Sequence, residues 1–175
     1  MTPGETGPAL TDIDISHPAL FREGDSRSPV VYLEVMIISG PVVEALDHEL
    51  VGFLTPVNRS GQPQTSPIWY IRDDEDLIVY NRPTAARLVS IAANPMVAFN
   101  LRGDRRAMGA LTIEALAVVD IGLPPADEHL GYVQRYGREI ERLGWTPRSF
   151  ADEFSVGLRL SVERIRSWGL DHLVR

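Results

Sequence analysis

An α+β fold, mainly β and built on an antiparallel sheet or barrel, is what this sequence predicts, and three observations predict it. Short apolar runs follow one another between Leu50 and Leu101 with tight turns between them, as consecutive hairpin-linked strands do. A longer run at 109–120 alternates apolar and polar near its start, and a further apolar run lies at 155–162. Most of these strands are consecutive instead of alternating with helices, which favours antiparallel over parallel pairing.

Taken in order, residues 1–29 are rich in Pro, Gly, Asp and Ser without sustained periodicity, the composition of a mobile arm. Residues 1–40 are therefore expected to be a partly flexible N-terminal extension and 41–175 the folded domain. The run Val30–Ser39 is β-branched and apolar apart from Glu34, and an exposed segment of that kind would aggregate, so it is expected to be covered or docked. Pro41 suits the first position of a helix reaching about His48, with Glu44 in its first turn and a stripe of Val42, Val43, Leu46 and Leu50. Val51–Val57 reads as a strand, Asn58–Gly61 as a turn, and Gln62–Ile71 as a second strand. Pro63 and Pro67 remove ladder donors from that second strand, which places it at an edge or gives it a bulge. Leu77–Tyr80 is the third strand.

Thr84 is the expected N-cap of a helix over 85–94 with Ala85, Leu88 and Ala92 on one face, and Asn94-Pro95 ends it. Met96–Leu101 and Gly109–Asp120 are the fourth and fifth strands, with a turn at Gly103–Arg106. Ala126–Leu143 is the clearest helix, apolar at Leu130, Val133, Ile140 and Leu143, and Gly144 is its stop. Thr146-Pro147 opens a short helix as N-cap and first residue. Ser155–Val162 is the last strand, and Ile165–Arg175 a short tail.

Composition removes several kinds of chemistry. All 17 basic residues are arginine, so Schiff bases and a phosphate-loop lysine are out, and with no cysteine so are thiolate nucleophiles, disulfides and iron–sulfur ligation. A net charge of −7 argues against nucleic acid as the main partner, and the local basic group Arg102, Arg105 and Arg106 reads as a solvated turn. The chain has no run of about 18 apolar residues and no basic-then-apolar leader, so a soluble, cytoplasmic protein is expected.

The four histidines, His17, His48, His129 and His172, fall at no metal-binding spacing, Asp127 is better placed as a helix cap than as a ligand, and no metal is expected. Arg82 and Arg87 flank a helix start, where free N–H groups, the positive helix end and planar guanidinium donors together favour an anion. Alternation puts one of Trp69 and Tyr70 on the buried face and leaves the other for a ligand or a partner subunit.

The run SGQPQTSPIWYIRDDEDLIVYNRPTAARLVSIAANPMVAF resembles the core of the pyridoxamine 5′-phosphate oxidase-like split β-barrels, the FMN-binding split-barrel type. It is most similar to the branch that uses the deazaflavin cofactor F420. The later run PPADEHLGYVQRYGREIERLGWTPRSFADEFSV is similar to the C-terminal helical insert and last strand of the same branch, so the resemblance spans about Pro41 to Ile165.

It implies a homodimer of split barrels with cofactor sites in grooves at the interface, and an oxidoreductase passing a hydride between F420 and a small unsaturated organic substrate. It also implies Ser66, Pro67, Ile68 and Trp69 as contacts of the cofactor ring, and Tyr80, Asn81, Arg82, Ala86, Arg87 and Leu88 as contacts of its phosphate and tail. The family usually has a lysine at Arg87 and further basic residues at Val89 and Met96, so the grip on a polyanionic tail is expected to be weaker here. The rival readings are an FMN-dependent oxidase or reductase of the same fold and a non-catalytic dimer that binds a cofactor or haem. The hydride step obliges no side chain, and Tyr80, Tyr136 or water is the candidate proton donor.

Overall fold

The structure, a computed structural model, describes residues 40–103 and 109–174. The run Val30–Ser39 and the arginines Arg105 and Arg106 lie outside the described residues. Helix α1 (Gly40–His48) leads into strand β1 (Gly52–Pro56), followed by β2 (Ser66–Ile68), β3 (Ile71–Asp73), β4 (Asp76–Asn81), helix α2 (Ala86–Ala93), β5 (Met96–Leu101) and β6 (Ala110–Val119). Helices α3 (Leu130–Arg142) and α4 (Pro147–Glu153) then precede β7 (Val156–Trp168) and a 3₁₀ turn, Leu170–His172. Among the described residues the strands make one antiparallel sheet in the order β2-β1-β5-β6-β7-β4-β3.

That order forces the sheet to curl. β2 and β3 occupy its two opposite edges, yet only Trp69 and Tyr70 separate them in sequence. Three residue steps reach at most about 11 Å, so the edges must approach each other there. No ladder joins them among the described residues. The result is a split β-barrel whose seam lies at Trp69–Tyr70.

Two cores follow from this curl. Inside the barrel, Leu54, Phe99, Ile113, Leu158 and Leu160 are fully buried, and Tyr70 plugs the seam with its ring edge-on to Phe99 at 4.8 Å. Outside β3 and β4, helices α3 and α4 pack Tyr132, Tyr136, Ile140 and Phe150 against Ile71, Ile78 and Tyr80. Strand β4 is thus covered on both faces, with Leu77 and Val79 in the first core and Ile78 and Tyr80 in the second. Its unbroken apolar stretch LIVY is the pattern of such a strand. Arg159 on β7 pins this end of the sheet, reaching Asp73, Asp76 and Asp120 at 2.9, 3.3 and 2.8 Å.

Several elements differ from expectation. The single strand at Gln62–Ile71 is two strands on opposite edges, because pairing before Ser66 is limited to an isolated bridge at Pro63 and the chain turns through the seam at Trp69–Tyr70. β7 does not stop at Val162 but runs to Trp168. Glu163 is an extra residue between the pairs Ala115–Val162 and Glu114–Arg164, and this bulge resets the alternation so that Ile165 packs on the barrel core. Helix α3 starts at Leu130, not Ala126, with His129 rather than Asp127 at its N-cap. Its buried stripe is two aromatic residues and one aliphatic, Tyr132, Tyr136 and Ile140, while Leu130 and Leu143 are 78% and 54% exposed. Helix α2 has Ala85 at its N-cap in place of Thr84 and buries Ser90 and Ile91. Thr146 is the N-cap of α4 and Gly144, φ 83°, the stop of α3, as expected, and Ser149 completes a capping box with Thr146.

Gly52 shows how tightly the first core is filled. A Cβ there would lie 2.2 Å from Phe99 Cε2 and 3.2 Å from Tyr70 Cε1, both rings being fully buried. Gly52→Ala is expected to lower stability by about 1–3 kcal/mol, read from the midpoint of urea unfolding.

Candidate functional site

A cleft of about 490 Å³ opens between the barrel seam and the helical insert, within the size range of small-molecule sites. Its barrel side comes from the last residues of β2 and the seam (Pro67, Ile68, Trp69), the end of β4 (Tyr80, Asn81), and the chain entering α2 (Arg82, Thr84, Ala85, Arg87). Its far wall comes from α3, α4 and the loop between them: Tyr132, Ile140, Leu143, Trp145, Phe150 and Phe154.

The wall is a continuous set of rings. Trp69 lies parallel to Tyr136 at 4.7 Å and stacks on Phe150 at 5.7 Å, while Phe150 stacks on Phe154 at 4.4 Å. Of the pair at the seam, Tyr70 is fully buried and Trp69 lines the cleft. A flat, apolar ligand would find aromatic edges and faces on one side and the seam on the other.

The polar groups gather at the α2 end. Arg87 is half-buried, burial holds its pKa below arginine's ordinary value, and among the described residues it has no ion-pair or hydrogen-bond partner. No side chain caps α2, so the N–H groups of its first turn are unclaimed by any cap beside that guanidinium. Asn81 is almost completely buried. Its Nδ2 donates to Val79 O at 3.1 Å and Val156 O at 3.4 Å, which fixes the amide orientation and leaves Oδ1 buried with no partner. Arg82 is in a different state: its Nε meets Glu153 Oε1 at 3.0 Å, and its guanidinium lies over the Phe154 ring at 5.0 Å.

Of the residues expected to contact a cofactor, Pro67, Ile68, Trp69, Tyr80, Asn81, Arg82 and Arg87 line this cleft, and Ser66, Ala86 and Leu88 do not. Each residue along a helix turns the side chain by about 100°, so Ala86 is exposed and Leu88 packs on the barrel core while Arg87 between them faces the cleft. Ser66 stands one residue before the cleft begins, paired with Leu54. The sequence alone named no cleft residue on α3; the signal that would have named Tyr132 and Ile140 is the one-face spacing of Tyr132, Tyr136 and Ile140.

Neither candidate proton donor is free. Tyr80 Oη donates to Pro124 O at 2.6 Å, and burial pushes its pKa up to about 12. Tyr136 Oη sits 2.6 Å from Tyr70 O and 2.8 Å from Leu50 O, accepts from Tyr70 N–H, and is held neutral by burial. The Tyr132 hydroxyl has no hydrogen-bond partner among the described residues, and burial raises its pKa well above tyrosine's ordinary value.

A family model described as pyridoxamine 5′-phosphate oxidase matches residues 39–169, most of the chain. The chain belongs to the pyridoxamine 5′-phosphate oxidase family. Solved structures agree on the fold. A conserved hypothetical protein of Mycobacterium tuberculosis is 21% identical with a TM-score of 0.60, over 78% of this chain and 88% of that one. A protein named F420 reductase is 24% identical with a TM-score of 0.54, over 70% and 93%. The haem storage protein of Vibrio cholerae is 21% identical with a TM-score of 0.53, over 78% and 100%. The sequence matches no curated protein. The structures that share this fold thus include one named F420 reductase and others named as haem storage or haem-binding proteins. Among the described residues, no helix is long and apolar enough to cross a membrane.

Proposed function

We propose that the cleft holds the deazaflavin F420 and that the protein is an F420-dependent oxidoreductase acting on a small unsaturated organic substrate. The observation that carries this reading is the half-buried Arg87, unpartnered among the described residues, at the uncapped start of α2 and at one end of an aromatic-walled cleft. An unpaired charge out of water is costly unless an anion completes it. A phosphate there would accept from the guanidinium fork and from the α2 N–H groups. The orphan Oδ1 of Asn81 suits an N–H or O–H donor of the same ligand.

When bound, the deazaflavin supplies the hydride. The chain's residues would orient such a ligand and dry the site: Trp69 and the rings at α4 would exclude water, and Pro67 and Ile68 would bound the cleft on the barrel side. With Tyr80 and Tyr136 committed to backbone carbonyls, any proton comes from water or from the substrate's own exchange with it. The protein is proposed to work as a cytoplasmic homodimer, a state that light scattering of the purified protein measures.

FMN is the second reading, because Arg82 is engaged by Glu153, and the one cleft cation without a partner among the described residues, Arg87, suits a single phosphate better than a polyanionic tail. Haem finds no His, Cys or Met among the residues lining this cleft. Titration of the purified protein with F420 and FMN separates the readings. Tighter binding of F420 is expected; binding of FMN alone overturns the deazaflavin, and binding of neither overturns the enzyme.

A further inference from the structure

Glu153 is the last residue of α4, where the negative end of the helix disfavours a carboxylate, and no basic residue lies in that last turn. Its ion pair is with Arg82, which follows β4 and lines the cleft. The same guanidinium rests on Phe154, the C-cap of α4, so the arginine is held flat against the helical insert by a charge and a ring together. Five residues on, Arg87 has no such partner among the described residues. The cleft therefore offers two arginines in different states, one open to an incoming anion and one already taken.

We infer that Glu153 is a specificity-determining residue: it withholds Arg82 from the bound ligand and so sets how much negative charge the cleft rewards. The inference rests on the reading of this cleft as an anionic-cofactor site. A ligand with one phosphate group is held through Arg87 and leaves the Arg82–Glu153 pair intact. A ligand with a longer anionic tail gains Arg82 only by displacing Glu153 and lifting the guanidinium from Phe154. Both side chains of the pair are close to half exposed, 49% and 45%, so the pair adds little to stability and can be exchanged without unfolding the protein. Against a ligand, however, Glu153 acts twice, as a competitor for Arg82 and as a like charge beside the tail.

The test measures dissociation constants of F420 and FMN by calorimetry for the natural protein, Glu153→Gln, Arg82→Gln and the double variant. Glu153→Gln is expected to bind F420 about three- to tenfold more tightly and FMN less than twofold more tightly. In the Arg82→Gln background the same change is expected to give less than a twofold gain, since there is then no arginine to release. A thermal midpoint within a few degrees of the natural protein shows that each variant is folded, and Arg82→Gln probes the pair from its other side. If the natural protein binds and Glu153→Gln is unchanged, or if its gain persists without Arg82, the inference is overturned while the cofactor reading stands. If no form binds either cofactor, the cofactor reading falls and the inference falls with it.

Discussion

Arg87→Ala is expected to weaken cofactor binding by at least tenfold, and by up to about a hundredfold if both donors of the fork are engaged. A hydrogen bond to a charged group contributes roughly 1.5–3 kcal/mol, which is that range when expressed as a ratio of dissociation constants. Removing the charge is expected to leave the free protein as stable as before or slightly more so. In the free state the guanidinium is half-buried with no ion-pair or hydrogen-bond partner among the described residues, a cost that the shorter side chain lifts. The two effects have opposite signs, which separates loss of a ligand contact from loss of the fold. Arg87→Lys keeps the charge but presents a point donor in place of a fork, so its affinity is expected to lie between the two. An Arg87→Ala affinity within twofold of the natural protein would remove the phosphate from this end of the cleft.

The sheet was legible because its strands carry their own signals. LIVY in β4 and the alternating stretch of β6 are read from the apolar pattern alone, and the turn at Asn58–Gly61 follows from turn chemistry. The seam at Trp69–Tyr70 was not legible. A change of sheet edge is decided by which strands pair at a distance, and Ile68 and Ile71 look alike in a periodicity argument although they end on opposite edges. The bulge at Glu163 hid the second half of β7 for a related reason, since one inserted residue inverts the alternation on which the reading depends.

For the cleft, the arginines at the helix start marked its charged end. Their different states could not be read, because Glu153 is 71 positions after Arg82 and only the packing of α4 brings it within 3.0 Å. The aromatic wall was visible in principle. Tyr132 and Tyr136 lie four residues apart on α3, but weighing only aliphatic residues directed attention to Leu130 and Leu143, which the fold leaves exposed.

The same stripe leads to the largest expected effect on stability, at Arg135. Helix α1 ends with carbonyls that no further turn can satisfy, and its C-terminal segment at Leu46–Glu49 is capped from a distance. Arg135 Nη2 donates to Leu46 O at 2.7 Å and to Glu49 O, Nη1 donates to Asp47 O at 2.9 Å, and Nε donates to Tyr136 Oη at 3.2 Å. The guanidinium lies 5.2 Å from the centre of the Tyr70 ring, whose hydroxyl sits 2.8 and 2.9 Å from the Leu46 and Glu49 carbonyls. One cation therefore closes a helix end, where the dipole favours it, and joins α1 to α3 across the barrel seam. Arg135→Ala leaves the part-buried Leu46 and Glu49 carbonyls to share the single Tyr70 hydroxyl and strips the exposed Asp47 carbonyl of its donor, and a loss of about 2–4 kcal/mol is expected, a fall in melting temperature of roughly 4–16 °C. Arg142→Ala is the control. That arginine is 70% exposed, pairs with Glu139 one turn away, and its loss is expected to cost no more than about 0.5 kcal/mol. The consequence reaches the cleft through Tyr136, which shares its hydroxyl with Arg135 and its ring face with Trp69. Arg135→Ala is therefore expected to reduce the near-ultraviolet circular dichroism of Trp69 at temperatures well below its own melting point. An unchanged signal alongside the lowered melting temperature would mean that the cap on α1 and the aromatic wall are energetically separate.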